Sequence, residues 1–326
     1  MNAIKRHRFV FILSLGLFVV DGGCSEPDAK LVTRTAIHHF DNPNMFAGMT
    51  TIGYRDAASL FKHYPKYPKA TVFWQQDGKA GSTNSPDGSA RHVEWSATLR
   101  EYILLTLDGV YAINPMDGTC RLVWRKEGYL QRPAWAFDAK RSLVAVTGYD
   151  VDNDKYFFAI VDLVHANASV LNVEKPAISM AFANDNKILA SMRVGLMAVH
   201  RSDSQEWTLT RINDTQPPEL LIGVLNDVPV YREKHNILIG DHSIALDGEI
   251  CRGSVVGDTI FAVTEEGRVF RIGPDRQPVK LATLLHDNII GSGTSTDGFW
   301  LALEDGSVHV YDGQNGQERT VTITIP

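Results

Sequence analysis

The chain has 326 residues, with 32 basic and 38 acidic side chains and a formal net charge of −6. A mildly acidic chain without a basic stripe is a poor nucleic-acid binder, and three cysteines are too few to build a disulfide-held fold. The length suits one large repeat domain, and beyond the N-terminal region no apolar run reaches the roughly 20 residues that a membrane-spanning helix takes.

Lys5, Arg6 and Arg8 precede the apolar run from Phe9 to Val20, which ends at Asp21-Gly22-Gly23-Cys24. A positive start, a short apolar core and small residues before a cleavage point predict a secretory signal over residues 1–23. Residues 24–90 read as an N-terminal segment, and within it Phe61, Tyr64 and Tyr67 lie among three lysines and two prolines. Proline biases this stretch to extended backbone, and tyrosine offers a rigid apolar face with a polar tip. The three aromatics are therefore candidate partner-binding residues, with a surface linker as the plainer reading.

Residues 102–125 read as an apolar strand, a tight Asp108-Gly109 turn, a second strand, a turn at Asp117-Gly118 and a third strand holding Trp124. Asp-Gly between β-rich runs is a hairpin signal, because glycine supplies positive φ. The unit recurs. Gly109-Val-Tyr111-Ala-Ile is echoed by Gly195-Leu-Met-Ala-Val, two periods of about 43 residues on; Gly267 and Gly306 open a second pair about 39 residues apart. Such periods, with four short strands each, predict an all-β chain: a β-propeller of six to seven four-stranded blades, which stack because one blade cannot bury its faces alone.

Blades are expected to begin near His92, Pro133, Ala177, Leu220, Arg252 and Ile289, so the propeller spans residues 91–326. The fourth of these is short and irregular. If Leu31 to Trp74 forms an incomplete or closing blade the count is seven, the preferred number. The alternating run Thr320–Ile325 is then expected to close the ring by pairing with Leu31–Ala36 or Ala70–Trp74, removing a free edge. Gly291-Ser-Gly-Thr-Ser295 sits where a turn leading into a strand belongs, and Cys120 and Cys251, several blades apart, are expected to stay unpaired.

Asp150, Asp152 and Asp154 alternate like the start of a calcium loop, but Lys155 stands where that loop needs glycine and Val161 where it needs glutamate. A solvated hairpin tip is the better reading, with the three carboxylates only weak metal candidates. His38 and His39 are adjacent, so on a regular strand they face opposite ways. No His-Glu-x-x-His zinc pattern, nucleophile elbow or phosphate loop occurs. No cofactor and no catalytic residue is assigned.

Gly22-Gly23-Cys24 resembles the lipobox of bacterial lipoproteins, with Asp21 where that family usually has leucine. The resemblance implies lipidation (palmitate among the acyl chains) of Cys24, and Ser25 after it is compatible with outer-membrane sorting in the periplasm. Gly109 to Trp124 resembles the repeat of quinoprotein-like propellers, in which the tryptophan docks one blade on the next. The enzyme branch of that family carries an adjacent cysteine pair, which this chain lacks. A lipidated cysteine ahead of a propeller is similar to the propeller lipoprotein of the outer-membrane barrel-assembly machinery. The resemblance implies a non-enzymatic, protein-binding scaffold or assembly factor in the envelope, held to the membrane by its lipid. Two alternatives stay open: an immunity-type protein that neutralises a toxin acting in the periplasm, and an enzyme or carbohydrate binder using the central channel.

Overall fold

In the computed structural model the chain is described over residues 31–54, 69–87, 89–126, 134–150, 152–184, 186–202, 206–213, 220–285, 288–296 and 298–325. These residues form seven sheets of four antiparallel strands, each a simple meander. Blade 1 comprises β1 (Leu31–Asn42), β2 (Met45–Tyr54), β3 (Lys69–Gln76) and β4 (Lys79–Asn84). Blade 2 comprises β5 (His92–Ser96), β6 (Glu101–Leu105), β7 (Gly109–Ile113) and β8 (Cys120–Arg125). Blade 3 holds β9 (Trp135–Asp138), β10 (Leu143–Asp150), β11 (Lys155–Asp162) and β12 (Asn167–Val173). Blade 4 holds β13 (Ala177–Asn184), β14 (Lys187–Met192), β15 (Gly195–Arg201) and β16 (Trp207–Arg211). Blade 5 is β17 (Leu220–Leu225), β18 (Val228–Glu233), β19 (Asn236–Ile239) and β20 (His242–Ala245). Blade 6 is β21 (Ile250–Val256), β22 (Thr259–Thr264), β23 (Arg268–Ile272) and β24 (Pro278–Thr283). Blade 7 is β25 (Ile289–Ser295), β26 (Gly298–Leu303), β27 (Ser307–Asp312) and β28 (Glu318–Thr322). The fold is a seven-bladed β-propeller.

Why the apolar runs are continuous follows from two-sided burial. In β6 and β7 every second side chain enters a different core. Ile103, Leu105, Val110 and Ala112 pack with Val144, Val146 and Phe157 of blade 3. Tyr102, Leu104, Tyr111 and Ile113 pack with Val72 and Trp74 of blade 1. A strand sandwiched between neighbouring blades therefore reads as an unbroken hydrophobic stretch. The fourth strand of each blade lies at the rim; β24 and β28 are largely exposed. The first strands touch one another around the ring and line the central channel.

Trp124 packs against the blade that follows its own. Its ring meets Phe157 of blade 3 edge-on at 6.3 Å and it joins the core between blades 2 and 3. Trp207, at the opposite end of the fourth strand in blade 4, packs backwards instead, into the core shared with blade 3. Trp124→Ala is expected to lower stability by about 2 kcal/mol, below the cost of a fully buried tryptophan because the side chain is partly exposed. Equilibrium denaturation in urea measures it, and an unchanged midpoint would remove the docking role.

Five expectations are corrected. The segment before residue 91 supplies a complete blade, β1–β4, and blade 5, expected to be irregular, is a regular four-stranded sheet with short strands. The ring does not close by exchange between the termini: Glu318–Thr322 pairs with β27 of its own blade, while Leu31–Ala36 and Ala70–Trp74 belong to β1 and β3 of blade 1. Gly291–Ser295 is not a turn but part of β25, the innermost strand of blade 7. Gly109 does not have positive φ, although Gly195, Gly267 and Gly306 do, at 131°, 75° and 84°. It is needed for close approach, because a Cβ there would lie 2.6 Å from the Trp124 carbonyl oxygen.

Among the described residues the seam between blades 7 and 1 is held by packing and one side-chain bond. Ile37, Phe40, Phe46 and Phe73 share a core with Trp300, Val308 and Val310. The Phe40 and Trp300 rings are 6.0 Å apart, and Thr296 Oγ1 donates to Asp41 Oδ1 at 2.7 Å. Gly291 lies against the backbone of Ile37, and a Cβ there would be 2.3 Å from the Ile37 carbonyl oxygen.

Candidate functional site

Five of the seven innermost strands carry a β-bulge at the same place. Register skips one residue between Ile37 and His39, Ala177 and Ser179, Leu221 and Gly223, Ile250 and Arg252, and Ile289 and Gly291. His38, Ile178, Ile222, Cys251 and Ile290 are the extra residues. Blades 2 and 3 pair without a skip in β5 and β9. A bulge breaks the two-residue alternation and re-aims the side chains around it. This overturns the expectation that His38 and His39 face opposite ways. Both turn from β1 onto β5, where His92 and Glu94, two residues apart, share a face.

The four side chains form one hydrogen-bonded chain. His39 Nδ1 lies 3.0 Å from Glu94 Oε2, His92 Nε2 lies 2.9 Å from Glu94 Oε1, and His92 Nδ1 lies 3.0 Å from His38 Nδ1. An ionised carboxylate only accepts, so both imidazoles donate to Glu94. In the neutral His92 imidazole Nδ1 is then the acceptor, and His38 Nδ1–H donates to it. One carboxylate thus sets the tautomers of three histidines. His39 Nε2 is buried without a partner. Burial would raise the Glu94 carboxyl, but the hydrogen bonds from His39 and His92 outweigh it and hold the pKa at about 2. Burial, followed by the neighbouring His92, pushes His38 down to about 3; Glu94 opposes this and Arg252 adds to it. His38 is consequently a neutral imidazole at physiological pH.

Around this chain stand an aromatic wall and a guanidinium. The Trp135 ring lies 4.2 Å from that of His92 and stacks with Phe137 at 6.2 Å. Arg252, the residue after the blade 6 bulge, reaches across β25 towards blade 1. Its Nη2 donates to the Ile289 carbonyl at 3.0 Å and its Nη1 to Ser292 Oγ at 3.4 Å. Arg232 donates from Nη1 to the Ile250 carbonyl at 2.8 Å, and its Nε is buried without a partner. The cluster lies in the half of the channel where the innermost strands begin. In a meander that end also carries the turns between second and third strands and the links between blades.

The residues singled out in the sequence are mostly elsewhere. Cys24, the signal region, Phe61, Tyr64 and Tyr67 lie outside the described residues. Asp150 ends β10, where its carboxylate accepts from Lys126 Nζ at 2.7 Å and from Asn153 Nδ2 at 3.0 Å. These bonds hold it down at about 2. Asp154 accepts from the Tyr149 hydroxyl, and Asp152 is exposed on the hairpin tip. Among the described residues no three His, Cys, Asp or Glu side chains converge as a metal site. Tyr111 donates to Asp108, which also pairs with Arg125. Cys120 on β8 and Cys251 on β21 are free thiols, with burial raising Cys120 to about 11. Sequence reasoning missed His92, Glu94, Trp135 and Arg252. The only available signal was the spacing of His92 and Glu94 on a predicted strand, because their partners His38 and His39 come from another blade, 54 and 55 positions away in sequence.

No protein-family model matches the chain, and no curated protein matches it in sequence. Solved structures share the fold at low identity. The computationally designed Ika8 protein is 12% identical with a TM-score of 0.57, over 91% of this chain and 89% of that one. A Pyrococcus horikoshii acylaminoacyl peptidase is 12% identical with a TM-score of 0.58, over 88% of this chain; the match spans 52% of the peptidase. The Listeria monocytogenes protein lmo1340 is 11% identical with a TM-score of 0.53, over 89% of this chain and 94% of that one. At such identities the likeness concerns the fold alone: the chain is built as a β-propeller.

Proposed function

We propose that this chain is a non-enzymatic envelope protein, lipid-anchored through Cys24, whose propeller binds a protein partner as a scaffold or assembly factor. The observation that supports this most is the closed ring of seven four-stranded blades. Such a frame holds many loops at fixed positions around one end, and loops on a rigid scaffold are where binding surfaces concentrate. The basic residues before Phe9–Val20 and the lipobox-like Gly22-Gly23-Cys24 supply the case for the envelope and the anchor.

Cys24→Ser is expected to move the protein from the membrane pellet to the soluble periplasmic fraction and to abolish incorporation of labelled palmitate. Stable anchoring needs two or more acyl chains, so loss of the acceptor thiol should release most of the protein. Unchanged sedimentation would remove the anchor from the proposal. The partner is tested by crosslinking the anchored protein in intact cells. Recovery of outer-membrane barrel proteins or their assembly factors supports a scaffold. Recovery of a single toxin, together with toxin sensitivity on gene deletion, points to neutralisation instead, and turnover of a small substrate by the purified monomer would defeat the non-enzymatic reading.

A further inference from the structure

The innermost strands carry three carboxylates, and all are occupied. Asp41 accepts from Thr296, Asp138 pairs with Arg141, and Glu94 accepts from His39 and His92. Arg252 has none of them. Among the described residues its guanidinium bonds only the Ile289 carbonyl and, at long range, Ser292 Oγ. Arg232, on the adjoining blade, likewise bonds a carbonyl and leaves its buried Nε unpartnered. A half-buried cation without a counter-charge is costly, and that cost is recovered when an anion binds.

We infer that the channel end beside His38 is a receptor for a carboxylate, gripped by Arg252. The planar fork of arginine matches a carboxylate with two parallel hydrogen bonds, and only part of the Arg252 fork is used by the protein. His38 is neutral and contributes no competing cation. The walls indicate what the carboxylate is attached to. Trp135 stands against His92, and Ile178, the bulge residue of blade 4, is 40% exposed at the same level of the channel. A flat or apolar body suits this lining. The carboxylate can come from a free small acid or from an acidic side chain of a docked protein.

The test uses the full-length protein with two probes: sodium phenylacetate, and an acetylated, amidated peptide bearing one glutamate. Binding is read by calorimetry and by tryptophan fluorescence. Saturable binding is expected, weakened about tenfold or more by Arg252→Gln and less by Arg252→Lys, which keeps the charge and the bond to Ile289 but loses the fork. A response to phenylacetate identifies a free acid as the source; a response to the peptide alone identifies a protein carboxylate. Saturation by neither probe, or Arg252→Gln binding as tightly as the parent, overturns the inference. Circular dichroism checks folding; if Arg252→Gln does not fold, unchanged affinity in Arg252→Lys overturns it.

Discussion

Between pH 8 and pH 5 the protein is expected to lose about 2 kcal/mol of folding stability through His38 alone. Its imidazole pKa is about 3 in the folded state, against the ordinary value of 6.5 in an unfolded chain. Below pH 6.5 the unfolded state therefore binds a proton that the folded state refuses. Stability is full above 6.5 and falls as pH drops towards 3, by about 1.4 kcal/mol for each pH unit well inside that window. Glu94 adds a second, lower window: its folded carboxyl is at about 2 against an ordinary 4.5, so its contribution is present above 4.5 and lost as pH falls through 2. The groups facing His38 are His92, Glu94 and Arg252, and Arg252 stays charged throughout. Urea denaturation at several pH values measures the slope. In His38→Gln the slope between pH 8 and 5 should flatten by about 2 kcal/mol, whereas an identical slope in parent and variant would show that His38 is not the titrating group.

The second large effect is expected at the seam. Gly291→Ala should destabilise the ring by about 3 kcal/mol, at the upper end for overpacking. The added methyl would sit 2.3 Å from the Ile37 carbonyl oxygen and 2.9 Å from Ile37 Cβ, and backbone cannot swing aside as a flexible side-chain tip can. β25 must then move away from β1, which also strains the bond from Thr296 to Asp41 and the packing of Phe40 on Trp300. Among the described residues these contacts are what tie blade 7 to blade 1, so the loss should appear as a lower thermal midpoint with the β-type circular dichroism spectrum retained below it. Gly257→Ala serves as the comparison: no atom lies within 4 Å of a Cβ there, and its φ of 59° carries only a modest backbone penalty. Equal shifts at the two positions would mean that the seam is not tightly closed.

The frame was legible in the sequence because its causes are local. Glycines that open the third strand of a blade, as at Gly195, Gly267 and Gly306, recur with the blade period, and His92, Ala177, Leu220 and Ile289 each begin an innermost strand as expected. The continuous run Tyr102–Leu105 could be read as strand, but its two-sided burial depends on neighbours on both flanks. The channel cluster was not legible for a different reason. Period-two alternation separates His38 from His39, and only the bulge, a register event between two strands, brings them together. Arg252 and His38 come from blades far apart in sequence, and the guanidinium acts on the imidazole only once the ring is closed. Closure itself was misread, because an alternating terminal strand such as Thr320–Ile325 pairs equally well within its own blade.

The contiguous seam between blades 7 and 1 has a mechanical consequence. Every other interface is backed by a covalent link from one blade to the next, whereas no peptide bond crosses this one. Under tension applied to the two ends of the chain, load falls directly on the seam. It would part by lateral separation of two sheets, and the blades would then peel away singly from whichever side yields first, each exposing one apolar face of its neighbour. The resistance of the molecule to pulling is thus set at one interface, by Gly291, Phe40 and Trp300, rather than by the number of blades.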